Sequence, residues 1–152
     1  MQEPPLIYQL DDIRKAYDGR TVLTIPSLEF ARGQTCALVG PNGSGKTTLL
    51  RLLAFIDKPT SGRILFDSTR VWNGSIRHID LARRLTLVAN PPYLFNRSVA
   101  YNIGYGLKVR GVPRDRIREK IDEVLGVAGL AGFGRKDARK LSSGEQQRVA
   151  LA

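Results

Sequence analysis

An α/β architecture is predicted for this chain of 152 residues by three features that follow one another along it. Alternating apolar and β-branched stretches come first, a glycine-rich loop then runs into a leucine-rich helical pattern, and the last third carries its apolar residues at helical spacing. The opening strand signals are "LIYQL", "TVLTIPSLEF" after the turn pair Asp18-Gly19, and "TCALVG". They predict a strand-rich edge. From Lys46, "KTTLLRLLAFI" sets Leu49, Leu50, Leu52, Leu53 and Phe55 on an apolar helix that stops near Pro59. The segment "KPTSGRILFD" turns at Ser61-Gly62 into another strand, and "RRLTLVANPP" reads as a further strand ended by the double proline. Helices are predicted over Ser98–Lys108 and Arg114–Leu125, the second from the spacing of Ile117, Ile121, Val124 and Leu125. "VAGLAGFG" is a small-residue connection, and the chain has no internal repeat and no low-complexity tract.

Composition sets outer bounds on function. Apolar residues make up 42% and charged residues 25%, enough to bury a core and too apolar for a disordered tail. Lys and Arg number 24 against 14 Asp and Glu, and the net charge of +10 suits nucleic acid, anionic lipid or a phosphate-bearing ligand. Acidic residues are interleaved with the basic ones between Arg114 and Lys140, which reads as a solvated mixed face, with a basic binding stripe as the alternative. The single cysteine, Cys36, excludes a disulfide framework or thiolate cluster within the chain; inside "TCALVG" it reads as a buried structural thiol of a reducing compartment. No stretch approaches the roughly 18 apolar residues of a membrane span. The first residues, "MQEPPLIYQL", lack the basic region and apolar core of a secretory leader, so any membrane link is expected to run through a partner. His78 and Trp72 are read as structural.

The strongest local signal is "GPNGSGKTT", Gly40 to Thr48, which fits G-x-x-x-x-G-K-[ST] between a predicted strand and a predicted helix. Gly40, Gly43 and Gly45 allow backbone angles and close approaches that a Cβ would obstruct. The N–H groups along Pro41, Asn42, Gly43, Ser44 and Gly45, proline excepted, can then turn onto phosphate oxygens. The loop feeds a helix N-terminus, whose unpaired N–H groups and dipole favour an anion. Lys46 is expected to reach the β and γ phosphates, Thr47 to ligate Mg²⁺, and Thr48 to add a hydroxyl to the α or β phosphate. A nucleoside triphosphate is implied, and the core is that of a P-loop NTPase.

Read with "KLSSGEQQRVALA", the stretch "GPNGSGKTTLLRLLAFIDKPTSGRILFD" resembles the ATPase subunits of ABC transporters. Leu141 to Glu145 is similar to the family signature LSGGQ in its LSGGE variant, with Ser143 in place of the first glycine, and the likeness runs from about Ile7 onward. Ser142 with Glu145, or Ser143 with Gln146, makes a capping box that starts a helix at Gly144. In the family this helix end touches the γ-phosphate held by the opposite subunit, so the resemblance implies that Ser142, Ser143, Gly144 and Glu145 join the nucleotide site of a dimer. It also implies that Tyr17 stacks on adenine. The family glutamine that contacts Mg²⁺ and the attacking water corresponds to Asn90, whose shorter amide predicts weakened coupling. Pro92 to Tyr105 corresponds to the surface that meets the membrane subunit.

What the resemblance implies for the whole is a P-loop core with an antiparallel β edge and a helical subdomain over about residues 91–141, all one nucleotide-binding domain, residues 1–152. Past the signature the family has an apolar strand ending in Asp and Glu, then a later Asp and His. None of these falls within this sequence. The expectation is therefore an incomplete domain, truncated after the signature motif, that binds nucleotide without turning it over. "VANPPYLFNRSVAYNIGYGLKVRGV" is similar to importer subunits for oxyanions such as tungstate, molybdate or phosphate. The expected setting is the inner face of the cell membrane, with permease subunits and a second ATPase subunit as partners, ATP and Mg²⁺ as cofactors, and no direct nucleic-acid contact. Two other readings stay open from the sequence: a nucleotide-binding module without catalysis, and a soluble ABC-type ATPase acting on nucleic acid or the ribosome.

Overall fold

The computed structural model describes residues 4–72 and 77–152, which gather into two compact units, one up to Leu87 and one from Val88 on. The first unit opens with a long hairpin, β1 (Leu6–Tyr17) and β2 (Arg20–Ala31). Asp18 and Gly19 both take positive φ, 48° and 79°, the primed turn that matches the twist of two-residue hairpins. β3 (Ser61–Phe66) adds antiparallel to the other edge of β1, and the two-residue β4 (Thr69–Arg70) pairs with β3. The sheet order is β2-β1-β3-β4.

β1 does not alternate strictly. Leu10 and Ile13, three apart, are both fully buried. Between them Asp12 adopts a left-handed φ of 50°, and the β1–β3 register shifts across Asp11 to Arg14. This bulge turns Ile13 back to the core face. Gly62 sits against it: a Cβ there would lie 2.4 Å from the Asp12 carbonyl oxygen, so the strand can approach the bulge only without a side chain.

The helix α1 (Lys46–Leu53) packs its Leu49 and Leu52 onto the sheet, with Phe55, Ile64, Phe66, Val71 and Leu81 completing the core. Each such side chain contributes about 1.5–3 kcal/mol when fully buried. The helix ends at Leu53, earlier than the proline would impose. Phe55 takes a left-handed φ of 58°, where glycine is usual, and the Ile56 N–H returns to the Arg51 carbonyl at 3.0 Å. Its ring stays buried, 5.4 Å from that of Phe66 and 6.1 Å from that of Tyr8. Packing outweighs the backbone strain. The Tyr8 hydroxyl donates to the Leu53 carbonyl at 2.8 Å, and burial pushes its pKa up to about 12.

Two expected strands are absent. Thr35–Gly40 and Arg83–Pro92 carry no strand, because a strand is made by the ladder of a neighbour and none of the described residues pairs with either segment. Val39 is accordingly 90% exposed, and Cys36, expected to be buried, is exposed as well. A short helix, α2 (His78–Ala82), precedes the second of these segments and turns Leu81 into the core.

The second unit is helical. α3 (Val99–Val109) is capped by Ser98, whose hydroxyl accepts from the Tyr101 N–H at 3.2 Å, and α4 (Arg114–Val127) follows a short connection. Gly104 of α3 is buried, and a Cβ there would stand 2.9 Å from Ile121 Cδ1 and 3.1 Å from Ile117 Cγ2, so α4 packs on α3 at a point where a side chain would crowd it. A 3-10 turn (Ala138–Lys140) then leads to α5 (Ser143–Leu151). Val99, Leu125, Leu130, Ala138 and Val149 form this unit's own core. The connection "VAGLAGFG" thus supplies a core residue, Leu130, and left-handed turns at Gly129 and Gly132.

Candidate functional site

The loop from Gly40 to Gly45 is built by its glycines. Gly43 and Gly45 have φ of 83° and 88°, so Gly45 turns the chain into α1 through a left-handed cap that no side chain completes. A Cβ on Gly45 would also press to 3.0 Å from Leu23 Cδ1 and 3.3 Å from the Val22 carbonyl oxygen of β2. The first bond that ties α1 back to the loop is Leu49 N–H to Gly45 O, 2.9 Å. The N–H groups of Lys46, Thr47 and Thr48 are therefore without an acceptor among the described residues. No acid lies in this first turn.

The Lys46 ammonium folds over the loop and donates to the carbonyls of Gly40, 2.7 Å, and Pro41, 2.6 Å. A cation and a row of free N–H groups thus share one cradle, and phosphate oxygens are the chemistry that satisfies both. Thr47 is exposed at the helix start with its hydroxyl available. Among the described residues no three His, Cys, Asp or Glu side chains gather as a metal group.

Tyr17 ends β1 in the same unit and is 41% exposed. Its hydroxyl donates to Asp57, and the Arg51 guanidinium grips the same carboxylate with two bonds of 2.9 Å. The Arg51 bond holds the Asp57 pKa down at about 2, and the Asp57 bond raises that of Tyr17. Asp57 and Arg51 were not foreseen from the sequence. The available signal was an arginine in the last turn of the loop's helix, with an acid six residues on, just beyond the helix end.

The remaining predicted site residues belong to the second unit. Ser142 caps α5, which starts at Ser143 rather than at Gly144. The Glu145 carboxylate accepts from the Ser142 N–H at 2.7 Å and from its hydroxyl at 2.8 Å, and the hydroxyl accepts weakly from the Glu145 N–H at 3.4 Å. The Ser142 N–H bond, then its hydroxyl bond, lower the Glu145 pKa. The alternative box of Ser143 with Gln146 does not form. Gln146 donates instead to the carbonyls of Arg139 and Leu141, at 3.2 and 3.0 Å, and ties α5 to the turn before it.

Asn90 accepts from the Gln147 side chain at 3.5 Å, at the outer limit of such a bond. Within Pro92 to Tyr105, Tyr93 is 93% exposed, and the rings of Phe95, Tyr101 and Tyr105 cluster at 4.4 to 5.9 Å.

Comparison with known proteins identifies the family. The family model described as "ABC transporter" matches residues 23–152. The phosphate import ATP-binding protein PstB 2 of Natronomonas pharaonis is 41% identical over 150 residues, a match covering 92% of this chain and 53% of that protein. The Fe(3+) ions import ATP-binding protein FbpC of Photobacterium profundum is 39% identical over 143 residues, covering 94% of this chain and 40% of the relative. The chain thus spans about half the length of the curated relatives it matches. Among solved structures, CbiO1 of Clostridium perfringens, part of the ABC transporter complex CbiONQ, aligns with a TM-score of 0.79 at 31% identity over 97% of this chain and 60% of that one. A bacterial Atm1-family ABC exporter with ATP bound aligns at 0.81 and 32% over 99% of this chain and 27% of that one. With its glycine loop, its antiparallel sheet and its helical unit, the chain has the ABC ATPase fold and belongs to the ABC transporter family.

Proposed function

We propose that the chain is the nucleotide-binding part of an ABC importer's ATPase subunit, in which Gly40 to Thr48 hold the phosphates of ATP and Tyr17 carries the base. The observation that carries this reading is the cradle itself: left-handed Gly43 and Gly45, an uncapped first turn on α1, and the Lys46 ammonium folded over the loop. An incoming triphosphate replaces the two carbonyls as partner of Lys46 and takes up the open N–H groups. Both exchanges favour the anion over water.

ATP supplies the phosphoanhydride that drives transport, and Mg²⁺, held in part by Thr47, supplies the charge that neutralises it. Ser142, Ser143, Gly144 and Glu145 form the half-site offered to the nucleotide of a second ATPase subunit, and Asn90 adjoins the metal. Pro92 to Tyr105 is the surface for the permease subunit. Its exposed tyrosines and phenylalanine suit that role. The location that goes with this reading is the inner membrane face. Hydrolysis requires the acidic strand that follows the signature in the family, so residues 1–152 by themselves bind ATP without turnover. The cargo is a small inorganic ion, an oxyanion such as phosphate by the likeness to PstB 2.

Calorimetric titration with ATP tests the assignment. Lys46→Ala is expected to remove measurable binding, a loss on the order of a hundredfold for one charge-assisted phosphate contact with its neighbours. Undiminished affinity in that variant would dismiss the phosphate cradle.

A further inference from the structure

Tyr17 stands at the turn end of the β1–β2 hairpin, 41% exposed, where a tyrosine ordinarily samples several rotamers. Here it does not stand alone. Its hydroxyl donates to Asp57 Oδ2 at 2.5 Å, and the Arg51 Nε and Nη2 donate to Oδ2 and Oδ1 of the same carboxylate at 2.9 Å each. The Asp57 side chain is only 13% exposed, so water competes little for it. On one face of the ring, 4.6 Å from its centroid, lies the Lys15 ammonium, itself fixed to the Lys58 carbonyl at 2.9 Å. The Ala16 N–H donates to Thr60 Oγ1 at 2.9 Å, and the Thr60 N–H to the Arg14 carbonyl at 2.8 Å. The chain after α1 is therefore stitched along the end of β1, and its acid closes on the tyrosine.

We propose that Asp57, gripped by Arg51, is a positioning residue that fixes the plane of the Tyr17 ring on which the nucleotide base stacks. The inference rests on the reading of Tyr17 as the base platform given under the proposed function. With Lys15 over one face, the opposite face receives the base. Ordering the ring before the ligand arrives removes an entropy cost from binding, and the benefit falls on the base while the phosphates gain nothing from it. Arg51 lies in the last turn of α1, and the first turn of the same helix lines the phosphate cradle, so one rigid element serves both ends of the ligand.

The test compares ATP with inorganic tripolyphosphate, which lacks a base, by calorimetry on the full chain. Asp57→Ala is expected to weaken ATP about twofold to tenfold, the worth of one immobilised side chain, and to leave tripolyphosphate unchanged. Tyr17→Phe keeps the ring and its packing while removing the tether, so it should reproduce the loss even if Asp57→Ala folds poorly. The two substitutions together should lose no more than either alone. Equal losses for both ligands, or no loss for ATP in either variant, would overturn the positioning role. Tyr17→Ala separates the two levels of the argument. A loss there without one in Asp57→Ala and Tyr17→Phe removes the positioning role and keeps the platform, whereas unchanged ATP affinity in Tyr17→Ala removes both.

Discussion

Helices α1 and α5 face the same backbone problem, a first turn of N–H groups with no internal acceptor, and solve it in opposite ways. At α1 the cap is a left-handed glycine with no side chain, the first turn has no acid, and a lysine ammonium lies over the opening. At α5 the cap is a serine, and Glu145 folds back to accept from both the Ser142 N–H and hydroxyl. The first end is cationic and open; the second carries its own carboxylate. Only the N–H groups of Ser143 and Gly144 stay free there among the described residues. A helix N-terminus is thus an anion site by default, and a carboxylate of its own weakens it, leaving at α5 the two N–H groups of Ser143 and Gly144 for the second-subunit nucleotide proposed above. For a single chain the phosphate affinity therefore resides in α1.

Breaking the open end should have the largest effect. Gly45→Ala forces an alanine to φ 88° and drives its Cβ against Leu23 and Val22. Left-handed strain and overpacking together cost about 2–4 kcal/mol. Thermal unfolding should show the drop, and an ATP titration should show binding lost with it. A variant of unchanged melting temperature and affinity would mean that the cap geometry at Gly45 is not required.

Breaking the closed end should cost less and leave nucleotide binding alone. Ser142→Ala removes a helix cap worth about 1 kcal/mol, so unfolding should begin earlier while the single chain keeps its ATP affinity. A fall in affinity comparable to that of Gly45→Ala would erase the distinction between the two helices.

The smallest effect is a pH dependence. The Glu145 pKa is lowered from 4.5 by its bonds from Ser142, so its contribution to stability is full above pH 4.5 and disappears as the pH falls through the lowered folded value. Glu145→Gln should therefore melt slightly below the parent at neutral pH, and the two curves should converge in acid. A difference that persists undiminished well below pH 4 would show that the carboxylate charge is not what the cap uses.

Features specified by neighbours in sequence were legible beforehand. The glycine loop, the start of α1 at Lys46, the Asp18-Gly19 turn and the Ser142–Glu145 box each depend on residues within a few positions of one another. α3 and α4 fell within two residues of their expected ends for the same reason. What depends on distant partners was not legible. "TCALVG" and "RRLTLVANPP" have strand composition, yet no described neighbour pairs with them, and the thiol of Cys36 is left exposed. The bulge at Asp12 and its accommodation by Gly62 join residues fifty positions apart. Asp57 belongs with these: nothing local in "AFIDKPTSG" announces that its acid reaches back to Tyr17.

The eight residues of α1 also act as a spacer of fixed length, about 12 Å at 1.5 Å per residue, between the phosphate loop and the Arg51 end. Each residue inserted into or deleted from that helix would swing Arg51 by roughly 100° about the axis and take its fork off Asp57. On this reading sequence drift within α1 can exchange an exposed side chain such as Leu50, but not Thr47 or Arg51, and it cannot change the number of residues. A segment that looks like an ordinary apolar helix is under a counting constraint that its composition does not reveal.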